Sequence, residues 1–192
     1  MKKSQKTAIY GMFAAVIIIL QLLSYFIKIG TFNLSLVLIP IVLGAHLYGI
    51  GAGAVFGAVF GAVVSICCIT GLDAGGFILI SASPLLTVLV CIGKGAAAGA
   101  VAGLVSKLFK GVNEHLAIVL AAIAAPIVNT GMFIGSLFIF FKDILYSWAG
   151  DTNIVTYVLV GLIGTNFIIE LIINIIAAPS LFTVSKALKK SY

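Results

Sequence analysis

Arginine is absent from this 192-residue chain, and charge of either sign is scarce: eleven lysines and five acids, 8% charged residues in all. Soluble domains average about 25% charged residues, so this chain lacks the charge to cover a surface facing water. The lysines gather at the chain ends and in one loop, not in an aromatic-studded patch, so the net charge of +6 does not point to nucleic acid. The few acids form no pair suited to acid–base work. No Walker-type phosphate loop appears, and no Ser/His/Asp set lies at matching depth. The glycines of GAGAVFG follow no strand, which excludes a nucleotide fingerprint. An enzyme is therefore not expected, no cofactor is called for, and the chain has no visible means of hydrolysing ATP. Cysteine is sparse too. Cys67, Cys68 and Cys91 are odd in number, lie in apolar segments and lack metal-ligand spacing, which makes them small core residues.

What is abundant is hydrocarbon. Hydrophobic residues make up 62% of the chain, and its mean hydropathy is +1.31. Six apolar segments stand out: Ala8–Ile27, Leu36–Tyr48 with Pro40, Gly51–Thr70, Pro84–Ser106, about His115–Phe141, and about Ile154–Val184. The first follows lysines, as a secretory signal does. It runs beyond the roughly 7–15 residues of a signal core and ends in Tyr-Phe-Ile-Lys, so it reads as a retained helix. Runs of about 20 apolar residues satisfy their backbone in lipid as helices, and the alternation of a membrane β-barrel is missing. The expected fold is an all-α membrane protein, a single domain over 1–192 built as a six-transmembrane-helix bundle. GLDAGGFILISAS and KDILYSWAGDTN read as connections. With six spans both termini share a side, and that side collects Lys2, Lys3, Lys6, Lys107, Lys110, Lys186, Lys189 and Lys190. The positive-inside rule then makes both termini cytoplasmic, with the loops around Thr31, Asp73 and Trp148 facing outward.

Small residues recur every fourth position. Gly53, Gly57 and Gly61 do so in the third segment, and Gly95, Gly99 and Gly103 in the fourth. Such stripes let backbones approach closely, and they predict that these two segments pack together. The first segment carries a lesser version in Gly11, Ala14 and Ala15.

Polar residues interrupt the oil at few places. Thr87, Cys91 and Lys94 share one face of the fourth segment. Asn129 and Thr130 follow Pro126 in the fifth, where irregular geometry is expected. Asn166, Glu170 and Asn174 form a stripe in the sixth. Counting at 1.5 Å per residue puts Lys94, Asn129 and Asn166 roughly 15–18 Å below the outer surface, with Glu170 a turn deeper. A lysine at the bilayer centre costs roughly 2.5–3.5 kcal/mol, so something must offset Lys94. Either Lys94 pairs with Glu170 in a structural core, or these groups floor an outward-facing pocket in which Lys94 meets an anionic part of a ligand. Asn33 in the first connection and Trp148 in the last complete the candidate ligand set; Trp148 serves either an interfacial aromatic belt or a lid. His46 is expected at the membrane interface.

The stretch FNLSLVLIPIVLGAHLYGIGAGAVFGAVFGAVV, together with APIVNTGMF and NFIIELIINIIAAP, resembles the substrate-binding (S) components of energy-coupling factor (ECF) transporters, bacterial vitamin importers. The resemblance covers nearly the whole chain. It implies a plasma-membrane capture subunit that binds a vitamin outside and works with an ECF transmembrane coupling subunit and two ATPase subunits. It implies that the small pair on the first helix contacts the coupling subunit; Gly11 and Ala15 stand where the family has two alanines. Pantothenate-type members look most similar, with folate or riboflavin as alternatives. From the residues alone, a stand-alone secondary transporter with a Lys94/Glu170 charge pair remains open, as does a ligand-free assembly subunit.

Overall fold

The computed structural model describes residues 3–26, 28–29, 32–33 and 36–190; at 3, 28, 29, 32, 33, 163, 165, 166 and 188–190 it describes the backbone alone. The elements run α1 (Lys3–Ser24), β1 (Lys28–Ile29), β2 (Phe32–Asn33), α2 (Leu38–Tyr48), α3 (Ile50–Thr70), α4 (Ala74–Ala82), α5 (Pro84–Lys110), α6 (Glu114–Phe140), α7 (Lys142–Ala149), α8 (Ile154–Thr156), a π-helical stretch (Tyr157–Ile163) and α9 (Gly164–Lys190). The two short strands form an antiparallel ladder pairing Lys28 with Asn33 and Ile29 with Phe32.

Five helical stretches are long and apolar enough to cross a membrane: Ser4–Ser24, Ile50–Thr70, Pro84–Lys110, Glu114–Phe140 and Ile154–Ala187. The remaining apolar segment forms the 11-residue α2, about 16 Å long and so roughly half a hydrocarbon core. Most of its residues are buried. A single residue, Gly49 at φ 89°, turns the chain from α2 into α3. That left-handed conformation suits glycine because it lacks a Cβ.

Backbone contact dominates the α3–α5 pair, as the glycine spacing predicts. A Cβ on Gly53 would overlap the Gly99 carbonyl, one on Gly57 the Gly95 carbonyl, and one on Gly61 the Cys91 carbonyl. Each helix is therefore pressed flat against the other, and the neighbouring face of α5 is left to carry side chains.

Two regions expected as connections are helical. The double glycine of GLDAGGFILISAS reads as a loop, yet α4 forms because Asp73 caps it, its side chain accepting from Gly76 N–H at 2.8 Å, and because Leu79 and Ile80 are buried. Gly76 sits so close to Cys68 that a side chain there would overlap its sulfur. KDILYSWAGDTN likewise holds α7, which buries Leu145 and Ala149. The irregularity expected near Pro126 is not seen, for α6 runs through it. The first helix ends at Ser24, and Ile27 lies outside the described residues.

The core has two parts. A large cluster joins α1, α2, α3, α4, α5, α6 and α9. A smaller one, built on Leu79, Leu137, Phe141, Leu145 and Val158, ties α4 and α7 to the end of α6 and the π-helical stretch.

Candidate functional site

Between these two clusters lies a cavity of about 430 Å³, within the range of small-molecule sites. Its walls draw on both: Phe60, Val64 and Cys68 from the large cluster, Leu79 and Phe141 from the small one. Its polar lining comes from several helices. Thr87, Cys91 and Lys94 face it from α5, and Asn129 and Thr130 from α6. Glu170 enters from α9, and Trp148 from α7. Thus Thr87, Lys94, Asn129, Thr130, Trp148 and Glu170, drawn from four helices, line one cavity. The side chains of Asn33 and Asn166 lie outside the described residues.

Lys94 is half-buried, with its ammonium 4.9 Å from the centre of the Phe133 ring. That cation–π contact is worth about 0.5–2 kcal/mol depending on desolvation, less than the cost of placing the charge in lipid. Glu170 is buried in the same lining. Among the described residues no salt bridge joins the two. The polar stripe on α9 divides accordingly: Glu170 lines the cavity, while Asn174 turns its amide to the Glu170 backbone carbonyl at 2.8 Å.

Sequence reasoning missed one wall. Gln21, Ser24 and Tyr25, at the end of α1, also line the cavity. Gln21 Nε2 donates to the Tyr25 hydroxyl at 3.2 Å, and the Ser24 hydroxyl donates to the Gln21 carbonyl at 2.7 Å. Their spacing of three and four was the available signal. Asp73 and the α4 residues Ala74, Gly75 and Gly76 were missed as well.

The far end of the bundle holds a separate polar cluster that corrects one expectation. His46 is buried there, with Nδ1 2.7 Å from the Ser106 hydroxyl and Nε2 3.1 Å from Glu114. Lys110 donates to the His46 carbonyl at 3.1 Å. A Ser/His/acid set therefore does exist. Ser106 is only 1% exposed and does not line the cavity. The set ties α2 to α5 and α6.

The cysteines are free and buried, and no group of metal-ligating residues forms among the described residues. No curated protein matches the chain. The family of ECF transporter, substrate-specific components matches residues 5–182, the span that builds every wall of the cavity; the chain belongs to that family.

Proposed function

We propose that this S component captures a carboxylate-bearing, water-soluble vitamin, pantothenate foremost and folate next. The observation that carries this reading is Lys94: a cation facing a ligand-sized cavity, held by an aromatic ring and in no salt bridge among the described residues. A ligand carboxylate supplies the missing counter-charge. In a low-dielectric site such a charge-assisted contact is stronger than in water.

In this reading six segments span a bacterial plasma membrane with both termini cytoplasmic, as the lysine distribution supports. The cavity then opens outward beneath α4 and α7. Uptake depends on an ECF transmembrane coupling subunit and two ATPases, since the chain shows no phosphate-binding loop of its own.

Mass spectrometry of small molecules released from the purified, detergent-solubilised protein tests the ligand. A stoichiometric carboxylated vitamin is the expected result. A stoichiometric ligand without a carboxylate would remove the role given to Lys94.

The docking surface for the coupling subunit is assigned to α1. Gly11 and Ala15 are exposed, Ala14 is half-exposed, and Met12, Val16 and Ile19 continue the outward face. A Cβ on Gly11 would meet nothing within 4 Å, so a larger side chain there leaves the fold intact. Gly11→Leu is expected to abolish co-purification of the coupling subunit while vitamin binding stays within twofold of wild type. Retained co-purification would move the interface elsewhere.

A further inference from the structure

Lys94 answers for one end of a ligand only. Ten residues separate it from the start of α5, which places it roughly 15 Å into the bundle. Asp73 precedes α4, after the end of α3, and lines the same cavity. One Asp73 oxygen is committed, accepting the Gly76 N–H as the cap of α4. Among the described residues the other oxygen accepts nothing.

The cap makes Asp73 a fixed acceptor. A side chain bonded to its own helix is held in place before any ligand arrives, so little conformational entropy is lost on binding. Beside it lies Gly75. A Cβ built there would stand 3.7 Å from Asp73 Oδ1 and 3.9 Å from Trp148 Cη2. The capping oxygen Oδ1 and the indole thus flank one side-chain-free position, so the Asp73 carboxyl and the Trp148 ring lie on the same side of the cavity.

We propose that Asp73 is a specificity-determining residue, a role that rests on the vitamin-capture reading above. Its other oxygen accepts a hydrogen bond from a hydroxyl or amino group at the ligand end remote from Lys94, on the side of the cavity that Trp148 also lines. The substrate class narrows accordingly: a carboxylic acid that also carries O–H or N–H donors at its other end. A simple fatty or aromatic acid leaves the Asp73 carboxylate without a donor and is rejected, because an unpaired charged group in a closed site is costly.

The capping role makes the test clean. Asparagine and serine are both good helix caps, so Asp73→Asn and Asp73→Ser keep α4. Asparagine presents an amide N–H where the free oxygen was, and serine is too short to reach the ligand. Pantothenate, folate, biotin, riboflavin and thiamine are offered to the detergent-solubilised wild type and both variants. Binding is measured by equilibrium dialysis and location by the emission of Trp148, the one tryptophan in the chain. The expected result is a carboxylated binder that changes Trp148 emission and binds about ten- to a hundredfold more weakly to both variants, with unchanged thermal unfolding. Equal affinity in wild type and both variants overturns the role of Asp73 and leaves vitamin capture standing. So does a binder that leaves Trp148 emission unchanged, and so does riboflavin or thiamine as the ligand. Binding of none of the five strikes the capture reading itself, and the role of Asp73 with it.

Discussion

Lys94→Met is expected to weaken binding of a carboxylated vitamin by about thirtyfold or more, with the bundle still folded. Removing one partner of a buried, hydrogen-bonded charge pair costs about 2–5 kcal/mol of binding, and each 1.4 kcal/mol is about a factor of ten. Methionine preserves the length and apolar stem of lysine, so the contact with Phe133 becomes an ordinary sulfur–aromatic one. The folded state gains from the exchange, because a charge costing roughly 2.5–3.5 kcal/mol in the bilayer is gone. A structural ion pair with Glu170 predicts the opposite pattern. Stripping one partner from a buried pair destabilises by about 3–5 kcal/mol, and the absence of a salt bridge between the two side chains argues against it. Thermal unfolding and equilibrium binding, measured on the same preparation, separate the cases. Lost affinity with equal or raised stability supports a ligand contact. Lost stability with equal affinity would make Lys94 a structural residue.

How far the site could be read from the sequence depends on how local its signals are. Thr87, Cys91 and Lys94 fall at steps of four and three, and such spacing fixes a shared helical face without knowledge of the rest of the fold. The glycine steps of α3 and α5 are equally local, and the structure brings those stripes into contact. The short helices α4 and α7 escaped because their stability is not local. Gly75 and Gly76 disfavour a helix by propensity, and α4 exists because Asp73 caps it and Leu79 joins a cluster fed by distant segments. His46 was out of reach for a stronger reason: its partners Ser106 and Glu114 stand 60 and 68 residues away. No periodicity connects positions so far apart; only the packing of α2 against α5 and α6 does. The wall formed by Gln21, Ser24 and Tyr25 lies between these extremes. Its helical spacing was visible, but α1 also has a long lipid-facing side, and the choice between the two faces is made by the tertiary fold.

The largest effect on stability is expected from a single methyl group. Gly57→Ala should destabilise the protein by about 3 kcal/mol or more, the upper end of overpacking costs. That is a fall in Tm of roughly 6–12 °C for a chain of this size. Overpacking is usually relieved by turning a side chain, but the added Cβ meets the Gly95 carbonyl and the Ala96 nitrogen, which are backbone. Relief therefore requires the whole of α5 to move, and moving it opens the contacts at Gly53–Gly99 and Gly61–Cys91 as well. Gly131→Ala in α6 is the control. Its Cβ meets nothing within 4 Å, so it should be neutral or gain up to about 1 kcal/mol from helix propensity. Thermal unfolding of the two variants in the same detergent checks the contrast, and equal Tm values would mean that α3 and α5 are not held by backbone contact. The same methyl group should also impair ligand binding. Gly95 follows Lys94 directly, and Gly61 opposes Cys91, which lines the cavity. Displacing α5 at Gly95 shifts the ammonium relative to Asn129 and Glu170, on helices that do not move with it. The flat glycine contact thus sets both the strength of the bundle and the position of Lys94, the proposed contact to a ligand carboxylate.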